Sequence, residues 1–168
     1  HPARIAIVND DMPFLVDSIA NCLSQQGMVI QQLVHPVLSV ERDSRGKLVD
    51  ILPDDSAGAR RESVVYIEVD RATAKQRKSL EAEIAATLAH VRAAVNDWGR
   101  MQEALAADAD RLNEDEGAAL LRWLLARNLT QIGHRICYRG KACDEMLGIC
   151  ALPDNEPLLA AGSIKAAF

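Results

Sequence analysis

The hydrophobic positions of the first thirty residues predict a strand followed by an amphipathic helix. Residues 5–8 form an apolar run typical of a central strand, and apolar residues then recur at steps of three and four up to Gly27. Pro13 suits the first helical turn, which makes Asp11 or Met12 the N-cap position. Gly27 suits the left-handed residue that closes a helix.

Residues 28–41 are rich in β-forming side chains, but His35-Pro36 interrupts them. This pattern predicts an edge strand, a strand bulged at the proline, or two short strands. Turn residues and alternation predict a hairpin and a further strand after it. These segments are a turn at 43–46, a strand at 47–52, a polar mobile loop at 53–62 and a strand at 64–70.

Helical periodicity dominates the middle of the chain. An apolar stripe predicts one long helix from Thr73 to Trp98, and the Ala/Asp-rich residues 99–110 either fray or continue it. Asn113 and Glu116 have the spacing of a capping box for a second helix, over 114–127. A strand at 130–138 and a loop-like segment after Gly140 complete the prediction.

The predicted order of elements is β-α-β-β(-β)-α-α-β. With the extra hairpin and helix treated as insertions, this order predicts an α+β ferredoxin-like fold, βαββαβ, with an antiparallel sheet and helices on one face. We expect residues 1–100 to form this domain, 101–128 to be a helical connector, and 129–168 either to complete the sheet with a strand or to begin the next domain. The second face of the sheet would need cover from a partner sheet, a second copy or the rest of a parent protein.

Composition narrows the classes of partner. The 168 residues carry a net charge of −5 without a basic stripe, which argues against nucleic acid and anionic membranes. No apolar run approaches the roughly 20 residues of a membrane helix. The chain begins at His1-Pro2 without a signal peptide, so we interpret it as part of a longer cytoplasmic protein. We also expect a homo-oligomer.

The cysteines do not predict a metal site. His134, Cys137, Cys143 and Cys150 follow an H-x2-C-x5-C-x6-C pattern, which lacks the closely paired cysteines of structural zinc sites. Cys22 lies on a predicted helix face, where a small buried side chain is expected. We therefore predict four incidental cysteines, no disulfide and no bound metal.

The turn between the first strand and the first helix is the candidate binding site. Such a turn leaves backbone N–H groups free at the helix N-terminus, where small anionic or zwitterionic ligands dock. Asp10 and Asp11 would hold a ligand ammonium group or, as we favour, cap the helix. The predicted site residues are Asn9, Asp10, Asp11, Met12, Pro13, Phe14 and Leu15.

The sequence predicts no catalytic residues. It has no G-x-G-x-x-G turn for a dinucleotide. No base is placed by the sequence to activate Ser18, which makes serine chemistry improbable. We therefore expect neither catalysis nor a bound cofactor in this chain.

Four segments carry a resemblance to a known family. The turn V-N-D-D-M-P-F-L-V-D-S resembles the β1–α1 turn of ACT domains, which are small amino-acid-sensing ferredoxin-like modules, and is most similar to the N-terminal region of the large bacterial NAD-specific glutamate dehydrogenases. The other segments are V-H-P-V at 34–37, L-L-R-W-L at 120–124 and I-G-H-R at 132–135. The resemblance implies a non-catalytic segment of an enzyme that uses NAD to convert glutamate to 2-oxoglutarate in a distant domain.

Three hypotheses follow from this resemblance. The first is a regulatory and assembly module of that enzyme, which senses a small amino acid or contacts other domains or subunits through its sheet or its Leu/Trp helix. The second is a stand-alone amino-acid-binding ACT regulator, and the third is a purely structural interaction domain. Phe14 stands where ACT domains have glycine, so its ring could occupy the space that glycine leaves for a ligand carboxylate.

Overall fold

The computed structural model describes residues 2–54, 56–112, 115–138 and 144–153. The chain divides into two compact units, a first unit of residues 1–88 and a second unit of residues 89–168. The division at 100 and 128 that we expected from the sequence stays a prediction.

The first unit is built on a five-stranded antiparallel sheet around its longest strand, β5. One edge of β5 pairs with β1, the other edge pairs with β2 and then β3, and β4 extends the sheet beyond β3. The strands are β1 (Ala3–Asp10), β2 (Ile30–Val34), β3 (Val37–Arg42), β4 (Leu48–Leu52) and β5 (Arg60–Val69); the helices are α1 (Leu15–Gln25) and α2 (Ala74–Asn96), which continues beyond residue 88. The predicted hairpin is thus confirmed as β3–β4, but the predicted loop at 53–62 is wrong for its last three residues, which begin β5.

The interruption at His35-Pro36 separates β2 from β3 without a change of register. Both strands pair with β5 in one continuous line, and the Pro36 carbonyl accepts a hydrogen bond from the Val64 N–H (3.0 Å). The register shift lies between Ile30 and Gln32 instead. Of the three alternatives, two short strands is therefore correct. The pairing with β5 continues past Pro36 because proline lacks the N–H donor but keeps the carbonyl acceptor.

Both helices contribute to one core against one face of this sheet. Val65, Ile67 and Val69 alternate along β5 and are fully buried, as expected for a strand with one covered face. Their neighbours in the core are Leu15, Ile19, Cys22, Leu23, Leu80 and Ile84. Each fully buried aliphatic side chain contributes about 1.5–3 kcal/mol, so this layer holds the strand and helix of the candidate site in place.

The two ends of α1 differ in how well the sequence predicts them. Gly27 has a φ of 70° and follows the helix as predicted, with the Met28 N–H bonded to the Leu23 carbonyl (3.0 Å). The N-cap is Phe14, whose side chain makes no capping hydrogen bond. The prediction of Asp11 or Met12 at this position is therefore wrong.

The second unit begins at residue 89, inside α2, and its other elements follow the end of that helix. Instead of one helix to Trp98, α2 stops at Asn96 and Trp98 starts a new helix, because Asp97 directs its carboxylate to the Gly148 N–H (2.8 Å) and to Arg100 (3.0 Å). The elements that follow are α3 (Trp98–Arg111), α4 (Glu116–Trp123), a wide π-type turn (Leu124–Asn128), β6 (Gly133–Ile136), β7 (Asp144–Gly148) and a 3-10 turn (Ile149–Ala151).

The N-cap of α4 is Asp115, whose carboxylate accepts hydrogen bonds from the N–H groups of Gly117 and Ala118. The predicted capping box therefore starts two residues too early. Its first member, Asn113, lies outside the described residues.

The fold prediction is confirmed as an α+β architecture with an antiparallel sheet, and the finer topology is not. The predicted strand at 130–138 is shorter and pairs with β7, a strand that the loop-like composition after Gly140 did not predict. Among the described residues, β1 pairs only with β5. The elements of the first unit follow the order β1-α1-β2-β3-β4-β5-α2, and the ferredoxin-like topology stays a prediction.

Candidate functional site

The turn between β1 and α1 contains one residue in an unusual backbone conformation. Phe14 has φ 65° and ψ 3°, which is the left-handed region. This region costs an L-residue roughly 1–2 kcal/mol, and glycine adopts it without that cost. Phe14 therefore keeps the backbone shape that favours glycine, while its side chain is 49% exposed. The ring is directed largely to solvent and does not fill a buried cavity.

The N-cap residue of α1 leaves the N–H groups of the first helical turn available to a ligand. The first helical hydrogen bond runs from the Ser18 N–H to the Phe14 carbonyl (3.0 Å), and Phe14, the N-cap residue, offers no side-chain acceptor to the N–H groups of the first turn. Free amides and the positive end of the helix dipole favour an anion at this position. Asp17, in the first turn, is the acidic residue next to these amides.

The Asp11 side chain is bonded to residues of β5. Its Oδ1 accepts a hydrogen bond from the fully buried Ser63 hydroxyl (2.9 Å), and its Oδ2 lies 3.3 Å from Nε of Arg61. The Asp11 N–H donates to the Arg61 carbonyl (3.2 Å). The carboxylate thus ties the turn to β5, and the interpretation that it caps the helix is wrong.

Asp10 is also paired with β5. It accepts hydrogen bonds from the Arg60 guanidinium, and the Asn9 side-chain amide donates to the Asp10 backbone carbonyl (2.8 Å). Both aspartates of the turn therefore have arginine neighbours, so the turn carries little net charge.

The remaining predicted site residues differ in exposure. Pro13 and Phe14 are exposed, Met12 packs partly against the core, and Leu15 is 2% exposed within it. Ligand contacts would therefore come from the exposed side of the turn, whereas Leu15 anchors the helix.

The start of β5 supplies charged residues that the sequence analysis missed. Glu62 is 4% exposed, and both of its oxygens accept hydrogen bonds from Arg42 (2.6 Å each). The Arg42 guanidinium holds the pKa of the Glu62 carboxyl below its usual range, although burial opposes this effect. In the sequence, Arg60, Arg61, Glu62 and Ser63 directly precede the predicted strand at 64–70, which could have indicated that they belong to it. Their polar composition indicates a loop instead.

The cysteines differ from the prediction at one position. Cys22 and Cys150 are free thiols, whereas Cys137 is disulfide-bonded, so the prediction of four incidental cysteines is wrong for Cys137. Cys143 lies outside the described residues. Within the described residues, no three His, Cys, Asp or Glu side chains are grouped so that they could hold a metal ion. None of the described helices is both long and apolar enough to cross a membrane.

The strand–turn–helix arrangement in an α+β antiparallel sheet is consistent with an ACT-like fold. A family model described as "Glutamate dehydrogenase, ACT1 domain" matches residues 2–84, and this part of the chain belongs to that family. The NAD-specific glutamate dehydrogenase of Halomonas elongata is 34% identical over 144 residues, which are 77% of this chain and 9% of that protein. The enzyme of the same name from Pseudomonas aeruginosa is 34% identical over 145 residues, with the same coverage. The chain therefore spans about a tenth of the length of these curated relatives, and the family predicted from the sequence is confirmed.

Proposed function

We propose that this chain is a non-catalytic regulatory segment of an NAD-specific glutamate dehydrogenase, and that its β1–α1 turn binds a small amino acid. The observation that carries the proposal is the uncapped N-terminus of α1 beside the left-handed Phe14. The family of residues 2–84 and the names of the two relatives support a parent enzyme that uses NAD in another domain. They favour this parent over a stand-alone ACT regulator.

The charges around the turn support an amino acid as the ligand. A ligand α-carboxylate would accept hydrogen bonds from the first amides of α1. The carboxylates of Asp10 and Asp11, on the preceding residues, are already paired with arginines, so the α-carboxylate is the ligand group that this turn would recognise. Arg60 and Arg61 hold both carboxylates on the sheet side of the turn, which leaves the helix amides without an internal anion.

The test is a thermal-shift titration of the 168-residue chain with each common amino acid, with chloride at the same ionic strength as control. A ligand that binds only the folded state stabilises it by about 2.7 kcal/mol at a concentration one hundred times its Kd. We expect one amino acid to give a saturable rise in melting temperature. No saturable rise with any amino acid would overturn the sensing role.

Two substitutions at Phe14 distinguish the effect of its ring on stability from the effect of its backbone conformation. Phe14→Gly removes both the ring and the left-handed strain, and we expect it to raise the free energy of unfolding by about 1 kcal/mol. Phe14→Ala removes the ring and keeps the strain, so it should not stabilise the chain. Urea unfolding measures this difference, and equal stability of the two variants would contradict the argument from strain.

The same pair of variants locates the ligand. If the amino acid binds at the α1 N-terminus, both Phe14→Gly and Phe14→Ala change its Kd in the same direction, because both remove the ring beside the amides. Asp11→Ala is a poor probe of binding, since it also breaks the Ser63 hydrogen bond and the fold contact that depends on it. An unchanged Kd in both Phe14 variants would place the ligand elsewhere.

We propose assembly as a second role, carried by the sheet face opposite the helices. Val8 and Val34 lie on this face and are 58% and 44% exposed. Exposed apolar side chains on a sheet face favour cover by another surface, here other domains or subunits of the parent enzyme.

The substitution Val8→Glu in the full-length enzyme should weaken its oligomer, which light scattering measures. Gln32→Glu, on the same face, is the control. An unchanged oligomer with Val8→Glu would remove this role.

A further inference from the structure

A partly buried arginine of the second unit has a donor atom for which the described residues provide no acceptor. All described arginines are exposed except Arg42 and Arg135. Arg42 donates hydrogen bonds to both oxygens of Glu62 and to the Gly46 carbonyl (2.8 Å). Arg135, on β6, has a buried Nη2 atom that makes no hydrogen bond to any part of the chain that the structure describes. The two partly buried arginines thus differ in whether their charge is compensated.

The buried, unpartnered donor atom of Arg135 requires an explanation. A guanidinium stays protonated at any pH at which the protein is folded, so it cannot relieve burial by losing its charge. A buried N–H without an acceptor costs the desolvation of that group, and a charged group costs more than a neutral one. Such groups in native proteins usually have a partner, which is a protein group, a water molecule or an ion.

The neighbouring Cys150 thiol does not supply the missing negative charge. Burial raises the pKa of this thiol, although the positive charge of Arg135 acts in the opposite direction. The thiol is therefore uncharged at neutral pH. Gly133, two residues before Arg135 on the same strand face, is covered by Cys150, whose Sγ would lie 2.9 Å from a Cβ at that position. His134 lies between them on the opposite face, as expected from strand alternation.

We propose that Arg135 anchors a binding site for a small carboxylate in the second unit. The planar pair of guanidinium N–H groups matches the two oxygens of a carboxylate. One guanidinium supplies one positive charge, which balances a carboxylate but leaves a doubly charged phosphate under-compensated. This site is separate in sequence from the β1–α1 turn, and the proposal does not depend on the proposed amino-acid sensor.

The test uses the 168-residue chain with acetate and inorganic phosphate as probes, each against chloride at equal ionic strength. Both tryptophans, Trp98 and Trp123, belong to the second unit, so tryptophan fluorescence follows its unfolding. We expect acetate to raise this melting temperature saturably. A response to phosphate alone, or to no probe, would overturn the carboxylate site.

Variants of Arg135 connect the response to this side chain. Arg135→Gln should weaken binding of the carboxylate at least roughly tenfold, and Arg135→Lys should weaken it less, because a lysine keeps the charge and loses the planar pair of donors. Circular dichroism and the tryptophan spectrum establish that each variant is folded. Arg122→Gln is the matched control, since Arg122 is an exposed arginine of the same unit. Equal responses in Arg135→Gln and in the unsubstituted chain would overturn the proposal, and Phe14→Gly should not affect it.

Discussion

Replacing Gly148 with alanine is expected to lower the free energy of unfolding of the second unit by roughly 3 kcal/mol or more. Gly148 has φ 60° and ψ −138°, a conformation that is nearly restricted to glycine. A Cβ at this position would overlap the Ile132 carbonyl oxygen and lie 3.0 Å from Sδ of Met101. The backbone cannot yield easily, because the Gly148 N–H is bonded to Asp97 and the adjacent Ile149 N–H to the Ile132 carbonyl.

Urea unfolding followed by tryptophan fluorescence measures this effect, since Trp98 and Trp123 both report on the second unit. Gly99→Ala is the matched control, because Gly99 is helical, has a φ outside the left-handed region and has open space within 4 Å of the position that a Cβ would take. It should leave the unit as stable or raise its stability by up to about 1 kcal/mol. Equal destabilisation by both substitutions would contradict the role given to the Gly148 backbone.

The sequence predicts the parts of the first unit whose signals are local. The helical repeat of Leu15, Ile19 and Leu23 and the alternation of β5 each encode one buried face, and all of these residues are buried. Gly27 marks the end of α1 because a left-handed residue is needed directly after the helix. In each case a few adjacent residues contain the whole signal, so no knowledge of distant contacts is required.

The candidate site is predicted less well because its contacts are distant in sequence. An aspartate before a proline is an ordinary helix cap, yet Asp11 contacts Ser63 and Arg61, about fifty residues away. The pairing of β1 with β5 brings these residues together, and the register of that pairing cannot be derived from residues 9–15 alone. The left-handed Phe14 has no local signal either, since glycine and asparagine are the residues that normally mark this conformation.

The second unit was the hardest part to predict. Asp97 separates α2 from α3 through a hydrogen bond to Gly148, fifty-one residues later, while the apolar stripe continues across the break and indicates one helix. β7 contains a single short apolar stretch, Met146-Leu147, which is too brief to distinguish a strand from a loop. Long-range contacts therefore override local periodicity at both positions.

The second large effect is expected at Glu62, in the first unit. Glu62→Gln should lower the free energy of unfolding at pH 7 by roughly 1.5–3 kcal/mol, because it weakens two charge-assisted hydrogen bonds with Arg42. The lower part of this range is expected, since Arg42 keeps 26% of its side chain exposed to water. Glu41→Gln, at an exposed position of the neighbouring strand, is the matched control and should change stability little.

The dependence on pH distinguishes the charge of Glu62 from its packing. Because Arg42 lowers the pKa of the folded carboxyl below the ordinary value of 4.5, the unfolded chain binds more protons, and stability rises with pH in this range. The stabilisation by the ionised carboxylate is complete above the unfolded pKa and is lost as the pH falls through the folded pKa.

The difference in stability between the unsubstituted chain and Glu62→Gln should therefore stay constant from neutral pH down to about 5.5 and shrink below about 4.5. Urea unfolding at several pH values, followed by circular dichroism, measures it, and tryptophan fluorescence identifies the transition of the second unit. A difference that stays constant down to about pH 3 would show that glutamine disturbs the packing of the strand, and that the ion pair itself contributes little.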